Sequence, residues 1–358
     1  MRIAQIAPLA ESVPPKLYGG TERVIAWLVD ELVELGHEVT LFASGDSVTR
    51  ANLKPVWPRA LRLGNPRADP MAACAALLEA ISQQAADFDV IHAHIEWVHL
   101  PLLNRLGVPF VTTLHGRLDL PGLLNVISQF PDARFVSISD NQRTPLKGVD
   151  WGGTVYHGLP VDMFRPVFEP GSYLAFLGRL TAEKGPEAAI RISRAGGMPL
   201  RIAAKVPRNE KGYFKERLER EIDGNQVLLL GEVNDGLKER FLAEAAALLF
   251  PIDWPEPFGL VMIEAMACGT PVIAFRSGSV PEVIDDGVTG FIVDDEMQAV
   301  QAIRRLGELD RRQIRARFEQ RFTARRMAEE YLRQYRALLD DNPKSISQPL
   351  VPVMPLTE

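Results

Sequence analysis

Cysteine is nearly missing from this chain of 358 residues, which has only Cys74 and Cys268. Both sit among small residues in helix-like settings (AACAA and MACGT), and each reads as a small buried side chain. A disulfide framework is excluded, and a reducing cytoplasm is the expected setting. Long apolar runs are missing too: none approaches the roughly 18 residues that a membrane helix needs. The opening MRIAQIAPLA is too brief in its apolar part for a signal sequence and reads as a first buried strand. An excess of basic residues is also lacking. With 40 Lys+Arg against 46 Asp+Glu the net charge is -6, which argues against nucleic acid as a partner and leaves room for a local basic pocket. Nothing indicates association with a membrane surface.

What is present is an alternation of short apolar runs with helical patterns, at 46% hydrophobic and 24% charged residues. At about 150 residues per domain, the length suits two cores. Strands are expected at 2–7, 38–43, 89–93, 109–114 and 134–138. Between the first two, Thr21 reads as the N-cap of a helix carrying Val24, Trp27, Leu28, Leu32 and Leu35 and ending at Gly36. An Ala-rich helix is expected over 70–86. The Pro/Gly-rich stretch 157–172 reads as a linker. A second series follows, with strands at 173–177, 199–204, 226–230, 247–250 and 271–275, and a helix from near Phe258 to Gly269. The pattern is that of an α/β chain with two Rossmann-like, doubly wound parallel sheets, in domains over 1–160 and 171–322. A helical stripe within 323–341 is expected to pack back on the first domain, and 342–358 reads as an extended tail. Ligands of such sheets bind beyond the carboxyl ends of the strands, so the loops that follow strands, facing an interdomain cleft, are the informative ones.

Four such loops stand out. In LYGGTERV, Gly19 and Gly20 allow close backbone approach at the start of a helix, a setting that suits an anion, although no G-x-G-x-x-G fingerprint is present. In FLGRLTAEKG a strand runs into Gly178, Arg179 and then Lys184, two cations suited to clamp a diphosphate. In EPFGLVMIEAMACGTPVIA, Glu256 and Glu264 are separated by seven residues, with Pro257 at the expected first helical position. Phe258, Gly259 and Leu260 would supply free amides there. Glu264 lies among apolar neighbours, so it needs a partner; a ribose diol fits better than a salt bridge. In VTTLHGRLD, His115 follows a strand and is placed to face the cleft. His92 and His94 also end a strand, but lack the further ligands a metal site requires. Asp46, His94 and Glu96 are candidates for contact with an acceptor, along with loops 8–18, 44–70 and 94–99 that hold Glu11, Leu17 and Trp97.

With these residues in order, the chain resembles the retaining glycosyltransferase family 4, whose fold is GT-B, from GGTERV to the terminal helix. The resemblance rests on the E-x7-E pair Glu256/Glu264, on FLGRLTAEKG upstream of it, and on the glycine pair after the first strand. It implies a hexosyltransferase that takes a sugar from a nucleoside-diphosphate donor, UDP-glucose by default, and passes it to a hydroxyl acceptor without cofactor or metal; a metal-binding D-x-D motif is accordingly not expected. It implies that Arg179 and Lys184 contact the diphosphate, helped by amides at Phe258, Gly259 and Leu260 and by Gly19, Gly20 and Gly178. Glu264 would hold the ribose, Glu256 the hydroxyls of the transferred sugar, and His115 would stand beside that sugar. Gly278 with Pro281–Glu282 also matches the family's pattern. Two other readings are a nucleotide-sugar epimerase on the same fold and a binding module without catalysis.

Overall fold

The computed structural model describes residues 1–16, 19–62, 64, 68–207 and 210–341. The first sheet has seven parallel strands: β1 (Arg2–Ile6), β2 (Glu38–Ser44), β3 (Asn52–Trp57), β4 (Val90–Ala93), β5 (Phe110–Thr113), β6 (Arg134–Ser137) and β7 (Trp151–Thr154), in the order β3-β2-β1-β4-β5-β6-β7. The second has six: β8 (Leu174–Arg179), β9 (Leu200–Lys205), β10 (Val227–Gly231), β11 (Ala247–Phe250), β12 (Val272–Phe275) and β13 (Gly290–Val293), in the order β10-β9-β8-β11-β12-β13. Helices separate most successive strands and cover the sheets, and the central strands are buried almost throughout, as parallel sheets require. In both sheets the strand order reverses next to the first strand, between β1 and β4 and between β8 and β11. Those reversals are where ligands of doubly wound sheets bind.

Three strands lie outside the expected set: β3, β7 and β13. All three are sheet edges. An edge strand is covered less completely, so NLKPVW, WGGT and GFIV lack the long double-sided apolar run that marks the central strands, and the lysine, proline and glycines are tolerated there.

Three helix starts and ends differ from expectation. The first helix is Gly20–Glu34; its N-cap is the extended Gly19 and no side chain caps it, so Thr21 lies inside the helix. The Ala-rich helix ends at Ser82 and only a short turn, Ala85–Asp87, follows. The E-x7-E helix begins at Leu260, because its N-cap Gly259 has φ 78° and Pro257 stays in the loop before it.

The chain crosses between the two sheets twice, side by side. Leu159 donates its amide to Phe322 O at 2.9 Å, and Ala324 donates to Leu159 O at 2.7 Å. The helix Ala324–Asp341 then packs against Gly20–Glu34, and its buried Tyr331 and Tyr335 reach polar groups of the first sheet. Residues 342–358 lie outside the described set. Among the described residues no helix is long and apolar enough to cross a membrane.

Candidate active site

The loops singled out in the sequence leave the carboxyl ends of strands next to the two reversals and meet across the seam between the sheets. The β1 loop carries Gly19 and Gly20; a methyl group on Gly20 would stand 3.6 Å from Leu260 Cδ1, so the glycine pair abuts the start of the helix Leu260–Ala267. Tyr18 and Leu17 lie outside the described residues.

The β8 loop carries Arg179 and Lys184, and the β11 loop carries Trp254 and Glu256. The Lys184 ammonium pairs with a Glu256 oxygen, and both side chains are 13% exposed. The ammonium also lies 4.8 Å from the Trp254 ring centroid, over a face that attracts cations. Arg179 lies 3.6 Å from Glu183, and its Nε is buried with no hydrogen-bond partner. An orphaned guanidinium nitrogen beside an ion pair leaves donor capacity for an anion. Gly178 has φ 157°, and nothing within 4 Å would meet a side chain there.

Glu256 is held from behind by Gly278. Ser279 donates its amide to Glu256 O at 3.0 Å, and Gly278 has φ 55°. A methyl group on Gly278 would collide with the backbone N and O of Glu256. Gly278→Ala therefore displaces the carboxylate without altering a charged group. A displacement on the order of 1 Å lowers turnover about 10²-fold; steady-state kinetics with a competent donor and acceptor measures it, and unchanged turnover would detach Glu256 from the reaction.

Glu264 is where expectation and structure part. It is buried, and its Oε1 accepts from Lys238 Nζ at 2.7 Å, so the salt bridge passed over in the sequence is present. Lys238 lies 3.3 Å from Asp235, which pairs at 2.6 Å with Arg23 of the first helix. Four alternating charges thus tie the E-x7-E helix to the glycine-pair helix across the seam. Sequence reasoning missed Lys238 because its partner is 26 residues away and no local motif marks it. A second tie is Glu282, whose carboxylate accepts the amides of Asp140 and Asn141, both at 2.7 Å, and the Tyr156 hydroxyl at 3.1 Å.

Phe258 does not open a helix. It is 2% exposed and packs 4.9 Å from the His157 ring, and His157 stacks on His115 at 5.3 Å. This stack brings the second sheet's loop to the imidazole that ends β5. Burial pushes His115 down to about 3. Its Nε2 lies 2.8 Å from His94 Nδ1, and its Nδ1 is buried without a partner. His94 is 2% exposed and hydrogen-bonded at both nitrogens, so it stands behind His115 rather than facing an acceptor. Beside it, Glu96 has φ 57°, strained for a residue with a side chain. Burial alone pushes its carboxyl up to about 7. Its Oε1 would stand 3.6 Å from a methyl group on Gly116, one residue past His115. Asp46 instead serves its own loop, accepting the Ala60 amide at 2.9 Å and lying 3.4 Å from Lys16.

Among the described residues no group of three or more His, Cys, Asp or Glu side chains is placed to hold a metal. His92 and His94 point inward to Tyr335, Thr113 and Gln5. The sequence does contain one D-x-D triplet, Asp87-Phe88-Asp89, contrary to expectation. It precedes β4, at the amino end of the sheet, where Asp89 pairs with Arg2 at 3.0 Å, on the side away from the loops just described.

Comparison with known proteins agrees with this architecture. Residues 164–325 match the family model described as glycosyl transferases group 1, and 18–143 match glycosyltransferase family 4. D-inositol 3-phosphate glycosyltransferase of Pseudarthrobacter chlorophenolicus is 27% identical, over 77% of this chain and 78% of that protein. Among solved structures, AviGT4, a glycosyltransferase involved in avilamycin A biosynthesis, superposes with TM-score 0.71 at 26% identity, covering 95% of this chain and 98% of that one. HepE of Anabaena, solved in complex with UDP and glucose, shares the fold with TM-score 0.73 at 20% identity, covering 94% of this chain and 100% of that one. With the two matched segments spanning both sheets, the chain belongs to glycosyltransferase family 4, has the two-sheet GT-B fold, and is an enzyme that transfers a sugar.

Proposed function

We propose that the protein is a retaining, metal-independent hexosyltransferase that works in the cytoplasm, taking a hexose from a nucleoside-diphosphate sugar, UDP-glucose by default, and passing it to a hydroxyl of its acceptor. The observation that carries this reading is the Lys184–Glu256 pair held between the β8 and β11 loops. It joins in one contact a cation suited to a diphosphate and a carboxylate suited to sugar hydroxyls. The solved relative with bound UDP and glucose supports the donor class, and the family resemblance supports retention.

When the donor binds, its diphosphate competes with Glu256 for Lys184 and takes up the free Nε of Arg179. Glu256 is released towards the sugar hydroxyls. Amides at the start of the helix Leu260–Ala267 and at Gly19 and Gly20 add fixed dipoles. As the bond from the sugar carbon to the phosphate oxygen breaks, the leaving oxygen gains negative charge, and these donors stabilise it where it develops. The acceptor hydroxyl attacks from the same face and gives its proton to the leaving phosphate. His115 borders the sugar, and Glu96, one residue beyond His94's neighbour Ile95, borders the acceptor.

Glu264 is assigned to the ribose through whichever lone pairs Lys238 leaves, and a double-mutant cycle separates that role from its salt bridge. Glu264→Ala leaves a buried ammonium with only Asp235, and destabilises the fold by about 3 kcal/mol, the low end for a broken buried pair. Glu264→Leu with Lys238→Met removes both charges and restores most of that stability. Donor affinity stays low in the double variant if Glu264 binds ribose. Recovery of affinity along with stability assigns Glu264 to the scaffold alone.

The test of the donor assignment is a melting series with UDP, GDP and ADP and their glucose, mannose and N-acetylglucosamine conjugates, without added metal. A ligand present at 100 times its Kd stabilises by about 2.7 kcal/mol. One nucleotide series is expected to raise the melting temperature, and the rise is lost in Lys184→Ala. No rise with any of them rejects the donor class.

A further inference from the structure

Behind His115 a continuous hydrogen-bonded chain runs through the interior of the first sheet. His115 Nε2 lies 2.8 Å from His94 Nδ1, and His94 Nε2 lies 2.8 Å from Gln5 Oε1. On the other side Gln5 Nε2 donates to the Tyr335 hydroxyl at 3.1 Å, which lies 2.7 Å from His92 Nδ1. His92 Nε2 lies 2.7 Å from Thr113 Oγ1, and that hydroxyl donates to Tyr331 at 3.0 Å. Gln5 and His92 are fully buried and His94 is 2% exposed, so solvent does not reorder the protons.

Histidines and hydroxyls can each donate or accept, and on their own they leave the direction of such a chain open. Gln5 couples the two branches: its amide oxygen only accepts and its amide nitrogen only donates, so the orientation of this one amide sets every proton in the chain. With the oxygen towards His94, the His94 proton sits on Nε2. Burial keeps His94 and His115 neutral, far below their ordinary 6.5. His94 Nδ1 is then an acceptor, and the His115 proton sits on Nε2. His115 Nδ1 is left as a bare lone pair, and it is the nitrogen with no partner in the protein. In the other direction Tyr335 accepts from Gln5 and donates to His92 Nδ1, and His92 Nε2 donates to Thr113. Each hydrogen bond of the chain from His115 to Tyr331 then has one donor and one acceptor.

We propose that Gln5 and His94 are positioning residues of the transfer reaction: the Gln5 amide fixes His115 as its Nε2–H tautomer, so that Nδ1 is presented as an acceptor to a hydroxyl of the transferred sugar. The proposal rests on the reading above that His115 borders that sugar. A packing role alone would need only that the polar groups be satisfied, in either direction. The positioning role needs this direction.

The test is a long-range proton–nitrogen NMR spectrum of the full chain carrying nitrogen-15 histidine at neutral pH, assigned with single His→Gln variants. His92, His94 and His115 are each expected as Nε2–H. A His115 that carries its proton on Nδ1, or exchanges between the two, overturns the proposal whatever the kinetics. Two variants add the functional readout, with melting temperatures to confirm folding. Tyr335→Phe cuts the His92 branch and leaves the Gln5 oxygen towards His94, so His115 keeps its tautomer and kcat stays within about 3-fold. Gln5→Leu frees both branches: His115 becomes a mixture and kcat falls about 10-fold, the scale of one hydrogen bond, with the donor KM unchanged. Equal loss of kcat in both variants, or none in Gln5→Leu, overturns the positioning role. Normal turnover in His115→Ala overturns it through the reading it rests on, and the wild-type spectrum then still tells whether the proton order was right.

Discussion

Lys184→Ala is expected to lower turnover about 10²–10³-fold at saturating donor, the range for removing one preorganised group that meets charge developing in a transition state. The lysine acts twice. In the proposed function its ammonium is a point charge for the departing diphosphate, and in the structure it holds the Glu256 carboxylate on the far side of the same contact. Removing it therefore misplaces the carboxylate proposed to meet the sugar hydroxyls as well as weakening the proposed clamp. Lys184→Arg restores charge but spreads it over a planar fork that no longer fits over the Trp254 ring in the same way, so it recovers only part of the loss. Glu256→Gln in the Lys184→Ala background separates the two effects: if the losses are far from additive, the pair acts as a unit. Single-turnover kinetics with a competent acceptor, alongside melting temperatures, provides the measurement. Normal turnover in Lys184→Ala would remove the diphosphate clamp from the reaction.

The parts of the fold that were legible in the sequence are those where local pattern and burial coincide. Central strands such as IAQI and VIHA are buried on both faces and mostly apolar, and stand out as runs. Edge strands are buried less evenly, and NLKPVW reads as a loop until its neighbour β2 is known. Cation and carboxylate positions after β8 and β11 were legible because strand ends fix where a loop side chain starts. What those side chains touch was not. Glu264 was expected to lack a protein partner because every residue near it in sequence is apolar, yet Lys238 arrives from the preceding helix. The E-x7-E helix was placed two residues early, because Pro257 is a good first helical residue and nothing local reveals that Gly259 takes a left-handed conformation. Gln5 was invisible as a functional residue: one polar side chain in a buried strand gains its meaning from His94 and from Tyr335, which is 330 residues away.

The buried histidines of the first sheet and its neighbouring loops make the protein acid-sensitive. Five histidines, His92, His94, His99, His115 and His157, are held below their ordinary 6.5 by burial, His99 and His115 down to about 3. Each stays neutral in the folded chain and binds a proton once unfolded, so its stabilising contribution is complete above pH 6.5 and is lost as the pH falls below it. Glu96 works in the opposite direction. Its carboxyl, pushed up to about 7, takes its proton in the folded chain first and favours folding as the pH drops from 7. Glu11, Glu22, Asp30 and Glu31, all raised chiefly by burial, add smaller contributions of the same sign. Five histidines outweigh them, leaving about three protons taken up on unfolding near pH 5.5. At about 1.4 kcal/mol per proton per pH unit, stability falls by about 4 kcal/mol per unit there. Against a total of about 5–15 kcal/mol, that slope unfolds the protein cooperatively near pH 5. Circular dichroism melts from pH 8 to 4.5 measure it, and His99→Gln is expected to lower the slope by about 1.4 kcal/mol per unit. Melting temperatures that stay level from pH 7.5 to 5 would mean that the cluster accepts protons without opening. With His115 beside the sugar as proposed, the acid limb of the rate profile coincides with loss of structure, since that imidazole, held down to about 3, stays neutral over the range in which the chain unfolds.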